Sequence, residues 1–297
     1  MLVSLPLNFF LEVHKTKKVF LLIFNHTSTT ISEGRFKSVI KVYDLKNPAI
    51  YAYALSIPSG DRYVDNYIHK NEEDFLGLFN GTKQIIKVYA LHYYGEYQAI
   101  LMKYYPQDLF GVIEQISRDP VSIAPQIKIN YCQQMLETIQ LLHAKHVIHR
   151  DIKADNFLVE DKAAKGHRLK VADFGLACYD DDQDSLKLVV GTPSYLAPEG
   201  WNKNIPARGK PLDIWAAGCV FWMIWKGAAY PWYDHDPEKP DDQEDLMKEL
   251  LWFHKTRPSP ENHLELLLWH MLNPNPEKRW NVELCLDYLN QYGSSFR

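Results

Sequence analysis

Short apolar runs dominate the first third of the chain, and helical spacing takes over from Leu109 onward. Ser32 to Ile57 reads as a strand, a turn and two strands. Ile40, Val42, Tyr51 and Tyr53 supply β-branched and aromatic residues, and Asn47-Pro48 marks a hairpin. Asp65 to Phe79 has helical spacing, with Tyr67, Phe75, Leu76 and Phe79 on one side and Gly81 as the stop. Ile85 to Tyr89 and Ala99 to Met102 are short apolar runs bounded by polar residues and read as strands. The pattern therefore predicts a sheet with one helix, followed by a helical region. In the latter, Gln126 to His143 carries Ile127, Ile129, Tyr131, Met135, Ile139 and Leu142 at amphipathic spacing. Leu212 to Trp225 is apolar all round, the mark of a buried helix. Leu246 to Phe253, Leu264 to Leu272 and Val282 to Tyr288 read as further helices, and Tyr230 to Asp245 as an acidic, proline-containing loop.

Composition narrows the class. The chain has 297 residues, 46% hydrophobic and 24% charged, which suits a globular enzyme and argues against disorder. A net charge of −4 without a long basic run argues against nucleic acid or an acidic membrane surface as partner. The four cysteines, Cys132, Cys178, Cys219 and Cys285, form no Cys-x-x-Cys pair and read as reduced thiols of a cytoplasmic protein. In residues 1–29 the apolar stretches Met1 to Phe10 and Val19 to Phe24 are separated by His14-Lys15-Thr16-Lys17-Lys18. Neither can span a bilayer, and no basic segment precedes the first. They read as an extension adding strands to the sheet, with a membrane-surface anchor as the alternative.

The chemistry lies in an ordered set of short motifs. His149-Arg150-Asp151 leads, through Ile152-Lys153-Ala154-Asp155, to Asn156; Asp173-Phe174-Gly175 follows, then Gly191-Thr192-Pro193-Ser194-Tyr195-Leu196-Ala197-Pro198-Glu199. Each fragment alone is an ordinary loop. Together, in order and spacing, they resemble the catalytic loop, metal-binding loop and peptide-binding segment of eukaryotic-type protein kinases. The resemblance covers roughly residues 30 to 290.

The resemblance implies an α+β, two-lobed kinase-like fold: a small β-rich N-lobe over 30–103 and a larger helical C-lobe over 106–297. It implies transfer of the ATP γ-phosphate to protein hydroxyls. Phosphoryl transfer needs positioning and charge neutralisation more than covalent help. Asp151 would orient the substrate hydroxyl, while Asn156 and Asp173 would hold Mg²⁺, a hard cation that takes oxygen ligands. Lys153 matches the lysine of Ser/Thr-type kinases, which implies a protein substrate carrying serine or threonine. Thr192 matches the threonine bonded to the catalytic aspartate. Met102 takes the gatekeeper place, with Lys103-Tyr104-Tyr105 as hinge. Asp108 matches the ribose-binding carboxylate, a role compatible with capping a helix. Val39, Ala54 and Leu158 match the adenine walls. Asp213 resembles the carboxylate bracing the catalytic loop, and Glu199 and Arg279 a buried ion pair. A phosphate on the segment between Asp173 and Glu199 would pair with Arg150; Ser185 is the first candidate and Ser194 the second, unless Asp180, Asp181, Asp182 and Asp184 already supply the charge.

Two departures stand out. Ser32-Glu33-Gly34-Arg35-Phe36-Lys37-Ser38-Val39 keeps only Gly34 of the family's three loop glycines. The strand that carries the phosphate-anchoring lysine reads Tyr53-Ala54-Leu55-Ser56, with serine in its place. Two readings follow: a pseudokinase or nucleotide-binding scaffold, or a kinase whose lysine has moved. The string Phe36-Lys37-Ser38-Val39 resembles that of the with-no-lysine kinases, which draw this lysine from the glycine-rich loop. Residues i and i+2 share a strand face, so Lys37 lies with Val39 and Lys41. An exposed loop lysine is the alternative. The helix carboxylate that would meet it is Glu72, better spaced from Leu76 and Phe79, with Glu73, better spaced from Ile85, as the alternative. A kinase-fold enzyme acting on a small molecule is disfavoured by Thr192 and the Ala197-Pro198-Glu199 segment.

Overall fold

The computed structural model describes residues 30–33, 37–43, 50–95, 97–162, 166–201, 209–230, 232, 248–249, 255 and 260–296. The expectations for residues 1–29, Gly34, the Asn47-Pro48 hairpin and most of the Tyr230 to Asp245 loop lie outside them, as does the Leu246 to Phe253 helix apart from Lys248 and Glu249. Two compact units divide the chain. One runs to Gly81 and resumes over Ile86–Tyr105; the other holds Thr82–Ile85 and everything from Pro106.

Among its described residues, the first unit is an antiparallel sheet with one helix. Its strands are β1 (Thr30–Glu33), β2 (Lys37–Tyr43), β3 (Ile50–Ser56), β4 (Val88–Tyr94) and β5 (Tyr97–Lys103), in the order β1-β2-β3-β5-β4. Ala52 to Leu55 and Ala99 to Met102 are buried, so the two central strands form the core of the sheet. Helix α1 (Arg62–Leu78) starts earlier than hydrophobic spacing indicates, because Asp61 caps it by accepting the Tyr63 and Val64 amides. Ile68, Phe75 and Leu76 form its buried face.

One predicted strand changes place. Ile85 does not open β4. It makes an isolated parallel bridge to Val171, whose amide bonds the Gln84 carbonyl at 2.8 Å, and the Lys170 ammonium bonds the Lys83 carbonyl. Thr82–Ile85, between α1 and β4, thus belong to the second unit. An apolar run of this length fits either partner, and periodicity alone does not choose.

The second unit is mainly helical. It contains β6 (Gln107–Asp108), α2 (Leu109–Arg118), α3 (Pro125–Ala144), β7 (Val147–Ile148), β8 (Phe157–Lys162), β9 (Gly166–Val171), β10 (Cys178–Tyr179), α4 (Gln183–Leu186), α5 (Pro198–Trp201), α6 (Lys210–Lys226), α7 (His263–Met271) and α8 (Val282–Tyr292). Proline opens α3 and the left-handed Gly227 closes α6. Nearly every α6 side chain from Asp213 to Ile224 is buried, as its uniform apolarity predicts. Helix α7 ends hard against it: a Cβ on Gly218 would come within 2.8 Å of Leu272. The arrangement is the α+β one expected, sheet-rich first and helical after. Among the described residues, no helix is long and apolar enough to cross a membrane.

Candidate active site

The loop after β7 carries the first cluster, and Asp213 at the start of α6 holds it from beneath. One Asp213 oxygen accepts the His149 amide and His143 Nε2, each at 3.0 Å; the other accepts the Arg150 amide at 2.9 Å. Burial would raise the Asp213 pKa, but the hydrogen bond and charge of His143 reverse that and hold it below the usual carboxylate range. His149 takes the Asp151 amide on Nδ1, donates from Nε2 to the Ala172 carbonyl at 3.2 Å and packs on Phe174. The Asp151 loop and the Asp173 loop are thereby joined through one imidazole. Arg150 and Asp173 both have φ near +65°, at 63° and 67°. Non-glycine residues reach that region at a cost that functional loops commonly carry.

The Asp151 carboxylate is held on both oxygens. Oδ1 accepts Thr192 Oγ1 at 2.7 Å and the Thr192 amide at 3.0 Å. Oδ2 accepts Asn156 Nδ2 at 3.0 Å and Lys153 Nζ at 2.9 Å. Lys153 also donates to Thr192 Oγ1 at 2.8 Å. Burial alone would lower the Lys153 pKa; the charges of Asp151, then Asp173 and Asp155, overcome it and raise it, so the ammonium stays charged. Thr192 reaches Asp151 because Gly191 precedes it. At φ +117°, a Cβ there would sit 2.6 Å from the Arg150 carbonyl.

Asn156 donates from Nδ2 to the Asp151 carbonyl and carboxylate, which leaves Oδ1 as the amide atom a cation could use. With the Asp173 carboxylate, the donor set is oxygen only and fits a hard divalent cation that keeps waters. Asp108 caps α2 by accepting the Gly111 amide at 2.8 Å and lies opposite Leu158 across the β6–β8 pair. Burial raises its pKa; the Gly111 hydrogen bond opposes this and the Asp155 charge adds to it.

The segment after Asp173 is tied down without modification. Arg150 Nε donates to the Leu176 carbonyl at 2.6 Å, and its guanidinium bonds the Ser185 carbonyl. Ser185, the first candidate for phosphorylation, is buried. Its hydroxyl donates to Asp182 at 2.6 Å, and its amide is capped by the same carboxylate. Asp180 accepts from Lys210 at 2.8 Å and His146 at 3.1 Å. Native carboxylates and carbonyls therefore occupy groups that a phosphate was expected to engage. These aspartates are only the alternative in the sequence pattern, since nothing in it shows which way Arg150 turns.

In the first unit, register decides. Lys37 stands directly opposite Ser56, Val39 opposite Ala54, and Ala52 opposite both Lys41 and Met102. Opposed side chains share a face, so Lys37, Val39, Ala54 and Met102 line one surface of the sheet. Lys37 Nζ pairs with Glu72 Oε2 at 2.7 Å, with side chains 15% and 1% exposed. Glu73 is turned outward and accepts the Tyr93 hydroxyl at 2.7 Å. Lys41 lies over the Tyr104 ring, 4.6 Å from its centroid. Ser56 accepts the Gln98 amide at 2.7 Å, a bond that sequence spacing does not reveal.

Comparison with known proteins agrees with this geometry. The family model described as "Protein kinase domain" matches residues 25–289. The chain is 40% identical over 129 residues to calcium/calmodulin-dependent protein kinase type II of Caenorhabditis briggsae, covering 43% of this chain and 22% of that protein. For its Caenorhabditis elegans counterpart the identity is 39% over 129 residues, 43% of this chain and 16% of that protein. Against the phosphorylase b kinase gamma catalytic chain, liver/testis isoform, of Homo sapiens it is 29% over 119 residues, 39% and 28%. The matches thus span less than a third of these relatives' own lengths. The family match takes in both units, the sheet that carries Lys37 and the loops that carry Asp151 and Asp173, and on that extent the chain belongs to the protein kinase domain family of the eukaryotic type.

Proposed function

We propose that this chain is an active Ser/Thr protein kinase that transfers the ATP γ-phosphate to protein hydroxyls, and that Lys37 serves as its phosphate-anchoring lysine. The observation that carries the reading is the Asp151 carboxylate, held by Thr192, Asn156 and Lys153 at 2.7 to 3.0 Å. A carboxylate fixed on both oxygens is oriented before substrate arrives, which is the main contribution a protein makes to this reaction. Asp151 would receive the hydrogen bond, and then the proton, of the acceptor hydroxyl. Lys153 would sit beside the transferring group and offset its charge. Asn156 and Asp173 would hold Mg²⁺, whose role is to neutralise phosphate charge. Lys37, oriented by Glu72, would offset charge from the sheet side. Asp108 would bond the ribose, Tyr104 would lie in the hinge, and Val39, Ala54, Met102 and Leu158 would pack on adenine, with Gly34 in the loop over the phosphates. Thr192 and the Ala197-Pro198-Glu199 segment favour a peptide over a small-molecule acceptor. The expected setting is the cytoplasm.

Incubation with radiolabelled ATP, Mg²⁺ and generic protein substrates tests the reading. Label is expected on serine or threonine, and Asp151→Asn is expected to abolish it while sparing nucleotide binding. Equal incorporation by wild type and Asp151→Asn would overturn it.

A further inference from the structure

The Lys37–Glu72 pair joins a strand to a helix, so its geometry depends on what holds α1 against the sheet. One buried polar residue does this on both sides of Glu72. Gln98, at the second position of β5, is 1% exposed. Its Nε2 donates to the His69 carbonyl at 2.8 Å and to the Tyr93 hydroxyl at 3.1 Å. Tyr93 in turn donates to Glu73 at 2.7 Å. His69 and Glu73 are one helical turn apart, and Glu72 lies between them. The ties from Gln98 therefore bracket the carboxylate that meets Lys37.

The main chain of Gln98 is held as well. The β3–β5 ladder ends at Leu55 and Ala99, and the next amide, that of Gln98, is taken by the Ser56 hydroxyl. Ser56 is the residue opposite Lys37. The position that lacks the family's lysine thus accepts a hydrogen bond, which a lysine side chain, a donor only, cannot do. A second ammonium there would also compete with Lys37 for Glu72.

We propose that Ser56 and Gln98 form a positioning clamp that sets α1 so that Glu72 orients Lys37, with Gln98 as the principal positioning residue. The buried part of this network, from Ser56 through Gln98 to the His69 carbonyl, is costly when half satisfied and specifies one arrangement when complete. The functional consequence rests on the kinase reading; the geometry of the clamp does not.

The test uses the whole chain and reads Lys37 directly. Acetic anhydride acylates exposed amines, and mass spectrometry gives the rate at Lys37. In wild type the rate is expected to be low, and Glu72→Gln should raise it. Gln98→Met, which keeps the volume and removes the donors, should raise it about tenfold, the scale of one buried hydrogen bond. Gln98→Met added to Glu72→Gln should raise it no further, since both act through one pair. In the phosphotransfer assay, Gln98→Met should raise the KM for ATP. Gln98→Glu has the same shape but no donor as a carboxylate. It should behave like Gln98→Met at neutral pH. It also serves if the methionine variant does not fold. A lowered melting temperature with unchanged Lys37 acylation and unchanged KM for ATP would overturn the proposal, as would additive effects with Glu72→Gln. A wild type that transfers no phosphate, but whose Lys37 is protected until Gln98 is changed, would refute the kinase reading and leave the clamp standing.

Discussion

The loops around Asp151 and the sheet face around Lys37 bring charged groups together by opposite means. In the helical unit, the residues expected to do chemistry stand close in sequence, and each carries its expected identity. Their geometry follows from a few anchors: buried Asp213 below and half-buried Thr192 above, with the Glu199–Arg279 pair fixed at Pro211 near the start of α6. In that pair, Arg279 donates to both Glu199 oxygens, at 2.5 and 3.0 Å, and to the Asn273 and Pro211 carbonyls, fully buried. In the sheet unit, the residue expected to anchor phosphate is absent from its usual strand. A lysine ammonium, that of Lys37, stands instead on the neighbouring strand, at the position directly opposite Ser56. The lesson is that strand pairing lets two separate sequence positions offer a charge to the same part of a sheet face. A cross-strand neighbour has its Cβ roughly 5 Å away, within reach of a flexible lysine stem.

A single substitution should cost most in the loop. Asp151→Asn should cost about 100- to 10,000-fold in turnover, the range for a positioned acid or base. Asp173→Ala should remove the Mg²⁺ dependence of nucleotide binding, measured by titration with and without the metal. On the sheet side, Lys37→Met should cost about 100- to 1,000-fold, by analogy with one preorganised donor. Lys41→Met and Ser56→Ala should each cost much less, and if Lys41→Met were the dead variant, the proposed role would belong to the wrong lysine. Adding Ser56→Lys to Lys37→Met sharpens the point further. Full recovery would show that Ser56 is only a vacated position, whereas the clamp requires recovery to stay small.

Smaller effects separate structure from chemistry. Arg279→Met leaves Glu199 buried without its partner and should destabilise the fold by about 3–5 kcal/mol in denaturant unfolding. Phosphatase treatment should leave turnover unchanged, because Arg150 is engaged by the Ser185 carbonyl; a large drop would mean that a phosphate rearranges this segment. The smallest expected effect is with pH. Burial lowers the pKa of His69, Asp65 opposes this and the Lys37 charge adds to it. Its neutral form therefore contributes stability that is complete above the unfolded value of about 6.5 and is lost as pH falls through the folded value. His69→Gln should flatten that acid limb in melting experiments.

The motifs from His149 to Glu199 were legible in sequence because catalytic loops and turns are local: residue type and spacing define them. Helix α6 was legible for a related reason, since a helix apolar on every side has nowhere to go but the interior. The boundary at Ile85 was not, because a short apolar run pairs with whichever edge the fold offers. The choice of Glu72 over Glu73 was legible only in part. One residue along a helix is a rotation of about 100°, and only packing against the sheet decides which carboxylate turns inward.

What the sequence determined by itself is therefore the family, through the makeup and spacing of contiguous loops, and the overall order of sheet and helices. The tertiary structure decided which lysine meets Glu72, what Ser56 does and where Arg150 turns. Those outcomes depend on strand register and on hydrogen bonds between residues 29 to 42 positions apart, as from Gln98 to His69 and to Ser56. A one-residue shift in register would put Lys37 on the other face, and no local pattern in the chain records that choice.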